Sequence, residues 1–126
     1  MKTIINTPNA PAPIGPYNQA IAAGNFIFVS GQIPVNPATG DMIIEDIKAA
    51  THLVMQNIKA ILNQGGADLS NVVKTSIFLT SMQDFAQVNE VYGSYFTDNF
   101  PARETVQVSG LPKGVNVEIS VTAIKS

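Results

Sequence analysis

The sharpest pattern in the chain lies near its end. Val115, Val117, Ile119, Val121 and Ala123 alternate with Asn116, Glu118, Ser120 and Thr122. A period of two marks a strand with one buried face, so the pattern predicts a strand over 115–124. Just before it, Val106 and Val108 alternate with Arg103, Thr105, Gln107 and Ser109, which predicts a strand over 105–109. The segment Gly110-Leu111-Pro112-Lys113-Gly114 joins the two as a hairpin. In that arrangement the valines pack beneath helices, and Arg103 and Glu118 project together from the other face. Elsewhere the period changes. Ile47, Ala50, Val54, Ile58 and Ile61 recur at helical spacing, predicting a helix capped by Asp46 and stopped at Gly65-Gly66 after Gln64. Phe85, Val88, Tyr92 and Phe96 form a second stripe. It follows Ser81-Met82-Gln83-Asp84, which has the spacing of a capping box, and runs to about Asp98.

The remaining elements are shorter. The run Val72–Leu79 is rich in β-formers and reads as a strand. Ala20–Ala23 and Phe26–Ser30 flank Gly24-Asn25, a two-residue hairpin turn. Residues 2–5 read as a short strand, residues 7–16 as an irregular arm holding four of the eight prolines, and residues 36–41 as a surface loop. The order β, β, β, α, β, α, β, β gives an α+β fold, a mixed sheet with two helices on one face. No repeat or linker divides residues 1–126, which are expected to form one domain.

Composition narrows the function. Charged residues are only 13% of the 126, against a typical value of about 25%. A charge-poor chain of this size suggests a surface covered by further copies of itself. The polar but nearly uncharged face of the last two strands fits a wet subunit interface or a cleft lining equally with a plain solvated face. Net charge is −2 and the seven basic residues are scattered, which disfavours a nucleic-acid partner. There is no cysteine, so thiolate zinc sites and a cysteine nucleophile are excluded. No apolar run is long enough to span a membrane and the N-terminus has no signal core, so the expected location is the cytoplasm.

Few residues are left to carry chemistry. Arg103 is the sole arginine. Its rigid fork suits a carboxylate or phosphate; a structural ion pair with Glu104 or Glu118 is the competing reading. Glu118, between Val117 and Ile119, is either a partly buried carboxylate with a raised pKa, able to serve as acid or base, or a surface glutamate. The single histidine, His52, falls about 140° from Ile47 on the first helix. It is read as a solvated residue, and the chemistry as histidine-free. Tyr17 offers a hydroxyl at the end of the proline-rich arm, and Ser30-Gly31 a hydroxyl and a backbone N–H.

Taken in order, Ile14-Gly15-Pro16-Tyr17, Ser30-Gly31-Gln32-Ile33-Pro34, Val88-Asn89, Phe100-Pro101-Ala102-Arg103, Leu111-Pro112-Lys113 and Val117-Glu118-Ile119 resemble the Rid/YjgF family through essentially the whole chain, closest to its RidA subgroup. The resemblance implies a chorismate-mutase-like fold assembled as a homotrimer, with a central barrel of sheets, helices outside and clefts between subunits. It implies cofactor-free, metal-free hydrolysis of 2-imino acids and their enamine tautomers, such as 2-iminobutanoate and 2-iminopropanoate, to 2-keto acids and ammonia. Such imines are released by pyridoxal-phosphate enzymes. Residue by residue, Arg103 would hold the substrate carboxylate and Glu118 would position water. Tyr17, Ser30, Gly31 and Asn89 would line the cleft, and Thr105 would contact ligand through its backbone. The chain departs from many members at Thr105, where they carry cysteine, and at Ser120, where they carry a second glutamate. Competing functions are a trimer that binds 2-keto acids without turnover, a ribonuclease or translation inhibitor, and an interaction protein with a vestigial cleft.

Overall fold

The computed structural model describes residues 1–125. Its strands are β1 (Lys2–Ile5), β2 (Ala20–Ala23), β3 (Phe26–Gln32), β4 (Val72–Leu79), β5 (Ala102–Gln107) and β6 (Val117–Ile124). They form one six-stranded sheet in the order β1-β2-β3-β6-β4-β5. Helices α1 (Ile47–Gln64) and α2 (Phe85–Gly93) pack together on one face. The apolar stripe of α1 is buried at Ile47, Ala50, Val54, Ile58 and Ile61, joined by Met55 and Leu62. It meets Ile77 and Leu79 of β4 and Val117, Ile119, Val121 and Ala123 of β6 in one core cluster. Asp46 caps α1 by accepting from the Ala49 N–H at 3.1 Å, and Gly65 ends it. Gly24, with φ 58°, takes the left-handed conformation that the β2–β3 hairpin turn requires. Among the described residues no helix is long and apolar enough to cross a membrane.

Four expectations are corrected. First, β5 and β6 are not a hairpin. The strand β6 lies between β3 and β4, antiparallel to both, while β5 runs parallel to β4 at the sheet edge. The intervening α2 makes β4-α2-β5 a crossover unit, which parallel pairing demands. Second, the faces of β5 are inverted from those expected. Arg103, Thr105 and Gln107 stand opposite Thr75, Ile77 and Leu79 of β4 and so share the helix side, whereas Val106 is exposed on the other. Third, α2 ends at Gly93, not near Asp98. Beyond it the amides of Tyr95 and Phe96 bond to the carbonyls of Tyr92 and Gly93 in tight turns, and the Phe96 ring settles 5.0 Å from that of Tyr92. The capping box expected at Ser81–Asp84 is also replaced. Ser81 accepts from the Gln83 amide and caps a single tight turn, Met82–Asp84, that leads into α2.

The irregular arm is held by one buried side chain. Gln19 accepts from the Thr7 amide at 2.7 Å and donates to the carbonyls of Thr7, Ala10 and Pro11. These backbone groups have no sheet to pair with, so the amide replaces the missing ladder. On the far side of the molecule the open sheet face carries Ile4, Phe26, Phe28, Val106 and Ile124, all exposed, around polar Ser120 and Thr122. An uncovered apolar patch of this kind marks an interaction surface.

Replacing Gln19 by leucine leaves those backbone groups buried and unpaired, a cost of about 1–3 kcal/mol for each group. Amide exchange at Thr7 is expected to accelerate at least tenfold; unchanged protection there would contradict the role of Gln19.

Candidate functional site

Two clusters of the expected residues form on opposite faces of the sheet. The first is built around a bulge in β3. Val29 pairs with Val121 and Gln32 with Ile119, so Ser30 and Gly31 together face the single residue Ser120. Such a two-against-one step bends a strand and re-aims its groups. Ser30 is fixed at this bend, its hydroxyl donating to the Asn18 carbonyl at 2.6 Å and its amide to the Gln19 carbonyl at 2.9 Å. At Gly31 the Glu118 carboxyl lies against the backbone so closely that an added Cβ would sit 2.5 Å from Oε2 and 2.7 Å from Cδ. Any larger residue here would push the Glu118 carboxyl away from the backbone. Ile14 and Tyr17 from the arm, Ile33 and Pro112 complete an open cavity of about 350 Å³ over Ser30, Gly31 and Glu118. The Tyr17 ring packs on Gly15, and its hydroxyl oxygen accepts from the Ile14 amide at 3.3 Å.

Glu118 has no salt bridge among the described residues. Partial burial in this setting raises its carboxyl above the ordinary value of 4.5. It is the half-buried carboxylate that its strand position allowed, not a plain surface residue.

The second cluster is on the helix side of the edge strand. The Arg103 guanidinium lies 5.2 Å from the ring centroid of Tyr92 and 5.7 Å from that of Phe85, both on α2. Cation–π contacts of this kind hold the side chain without using its donors. The ion pairs that competed with a binding role do not form: Glu104 pairs with Lys74 at 2.9 Å and hydrogen-bonds with Ser76, and Glu118 is on the other face. Tyr92 is fixed by donating to Thr75 at 2.9 Å. Burial raises its phenol, opposed by the Thr75 bond and by the charge of Arg103. Asn89, one turn after Phe85 along the same side of α2, and Thr105, two residues after Arg103 on the same strand face, each bury a side-chain oxygen with no hydrogen-bond partner. Such orphans need a partner from elsewhere.

The structure thus brings Tyr17, Ser30, Gly31 and Glu118 together, and separately places Asn89, Arg103 and Thr105 on one side of β5 and α2. It does not bring Arg103 and Glu118 to one face, as the hairpin expectation required. His52 is exposed on α1, its Nδ1 2.9 Å from the Tyr95 hydroxyl, apart from both clusters. Two supporting side chains lie outside the residues expected from the sequence. One is Gln19. The other is Asn57, which is buried on α1 and donates to the Val35 carbonyl at 3.0 Å, tying the segment after β3 to the helix. A polar residue flanking the apolar stripe of α1 was the visible signal for Asn57; nothing local distinguished Gln19. Among the described residues no three His, Asp or Glu side chains gather as a metal site.

Comparison with known proteins now bears on these clusters. Residues 7–125 match the family model described as endoribonuclease L-PSP. A RutC family protein of Pyrococcus horikoshii is 54% identical over 125 residues, covering 99% of each chain. The solved structure of YyfA of Yersinia pestis, from the conserved Rid protein family, is 50% identical with a TM-score of 0.96, covering 98% of this chain and 99% of that one. The structure of Escherichia coli TdcF with bound serine is 41% identical with a TM-score of 0.94, covering 98% and 99%.

In Gly31→Ala the new methyl group displaces the Glu118 carboxyl toward solvent. The carboxyl pKa, followed by NMR, is expected above 4.5 in the parent protein and to fall back toward that value in the variant. Equal values in both would contradict the close approach as the source of burial.

Proposed function

The chain belongs to the Rid/YjgF family and has its chorismate-mutase-like fold, and on that premise we propose that it hydrolyses 2-imino acids and their enamine tautomers, such as 2-iminobutanoate and 2-iminopropanoate, to 2-keto acids and ammonia. The observation that carries this reading is that the chain holds both a half-buried carboxylate, Glu118, and a sole arginine, Arg103, neither in a salt bridge among the described residues. A protonated imine carbon is already electrophilic. Its hydrolysis needs a fixed substrate, a placed water and one group to handle a proton.

Because Arg103 and Glu118 lie on opposite faces, the working site joins the Arg103 cluster of one copy to the Glu118 cluster of the next. The exposed apolar residues of the open sheet face and the orphaned oxygens of Asn89 and Thr105 support such an assembly, a homotrimer as in the family resemblance. In it the Arg103 fork holds the substrate carboxylate, and Glu118 accepts a proton from water as its oxygen bonds to the imine carbon. The C=N π pair moves to nitrogen, giving a neutral carbinolamine. The proton on Glu118 then passes to the amine, the C–N bond breaks with its electron pair leaving as ammonia, and the hydroxyl gives its proton to the regenerated Glu118 carboxylate as the ketone forms; that proton then passes to the departing ammonia, giving ammonium. A carboxyl with a raised pKa suits both transfers. Tyr17 and Ser30 line the cleft beside Glu118. The serine bound in TdcF, itself a small carboxylate, supports a ligand of this class. A cytoplasmic setting accords with imines released by pyridoxal-phosphate enzymes. The ribonuclease described by the family model is disfavoured by net charge −2 and by a lone histidine remote from both clusters.

Release of 2-oxobutanoate from freshly generated 2-iminobutanoate tests the proposal. The parent protein is expected to exceed the spontaneous rate, and Arg103→Ala to lose roughly 100-fold in kcat/KM. No acceleration by the parent would overturn catalysis and leave the keto-acid-binding reading. Glu118 acts as a base only when ionised, and its pKa is raised, so kcat/KM is expected to fall as pH drops through a value above 4.5. Glu118→Gln should lose about 10²-fold in rate together with that acid limb. An acid limb unchanged in Glu118→Gln would assign it to another group.

A further inference from the structure

Next to the cavity over Glu118 lies a second one that shares part of its wall. Ile14, Tyr17, Gly31 and Ile33 line both. Beyond them the second cavity is walled by Pro11 of the arm, by Val35 and Pro37 of the loop after β3, and by Lys113. Its walls combine these apolar side chains with the polar groups of Tyr17, Gln19, Gln32 and Asn36, and the Gln19 amide is taken up by the backbone of Thr7, Ala10 and Pro11. No aspartate or glutamate lines it. Lys113 is the one charged side chain in its wall, and forms no salt bridge among the described residues.

The backbone at Lys113 is also unusual. Its φ of 59° and ψ of 16° make it the one non-glycine residue in the left-handed region among the described residues. Gly114 follows at φ 73°. A lysine is disfavoured there, and glycine or asparagine would fit more easily. Residues kept in such conformations cluster where a side chain must be presented to a ligand. Here the turn presents Pro112 to the Glu118 cavity and Lys113 to its neighbour.

We infer that the second cavity receives the substrate side chain and that Lys113 is its specificity residue, selecting 2-imino and 2-oxo acids whose short aliphatic side chain ends in a carboxylate. This rests on the deaminase reading for the reacting end of the molecule. With the reacting carbon beside Glu118, the shared walls at Tyr17, Gly31 and Ile33 lead methylene groups toward the second cavity, along Pro11, Val35 and Pro37. At its mouth the exposed Lys113 ammonium meets the distal carboxylate in a charge-assisted hydrogen bond.

Calorimetric titration of the whole protein with 2-oxobutanoate and with 2-oxoglutarate tests this without requiring turnover. Lys113→Asn removes the charge but keeps a residue that tolerates the left-handed region; Lys113→Arg keeps the charge. The ratio of the two Kd values is expected to shift by about tenfold against 2-oxoglutarate in Lys113→Asn and to stay near the parent value in Lys113→Arg. An unchanged ratio in Lys113→Asn overturns the role of Lys113 while leaving the deaminase reading intact. An equal shift in Lys113→Arg also overturns it, because charge is then not what is read. Failure of the parent to bind either oxo acid overturns both readings.

Discussion

Residues Lys74 to Leu79 of β4 are each paired on both sides, and paired residues share a face. Thr75 stands between Arg103 of β5 and Val121 of β6, and Phe78 between Val106 and Glu118. Arg103 is thereby locked to the helix side and Glu118 to the open side. No side-chain rotation reverses this, and a one-residue slip of β6 would turn Val117, Ile119, Val121 and Ala123 out of the core. The two residues best suited to the proposed reaction are thus separated by the sheet itself within one chain. The open face, with its exposed phenylalanines, and the edge strand β5, with its free backbone groups, offer surfaces through which a second copy can unite them.

Each half is prepared in a different way. The Glu118 carboxyl is placed by a strand bulge and by the absence of a side chain at Gly31, so its burial comes from close backbone contact. Arg103 is placed by two aromatic faces and forms no salt bridge among the described residues. A carboxylate without a cation and a guanidinium without an anion are costly arrangements in isolation. In the proposed assembly a carboxylate-bearing, positively charged imine between them would supply both missing partners. The low overall charge of the chain removes competing partners from both clusters.

Much of this was legible in the sequence. The stripes of α1 and β6 identified the core because a helix or strand with one buried face writes its period directly into the chain. The Gly24-Asn25 turn and the Asp46 cap were visible for similar local reasons. Strand order was not. Nothing in the alternation of 103–109 distinguishes a hairpin partner from an edge strand returning across α2, and the wrong pairing inverted the faces of β5. Helix α2 was overextended because Phe96 continues the helical spacing in sequence while packing on Tyr92 from a turn. Arg103 and Glu118 stood out as residue types. That they lie on opposite faces, that Gly31 makes room for one and α2 aromatics steady the other, and that Gln19 holds the arm are facts of tertiary packing with no local signature.

In the proposed site two copies each supply one cluster, and subunit complementation measures that directly. Arg103→Ala and Glu118→Gln are each expected to be nearly inactive toward 2-iminobutanoate. Co-expressed mixed assemblies contain interfaces at which one copy supplies the intact Arg103 and its neighbour the intact Glu118. Recovery of a substantial fraction of parental activity in the mixture is the predicted result. Mixed assemblies that form but stay as inactive as either variant alone would contradict a site shared between copies.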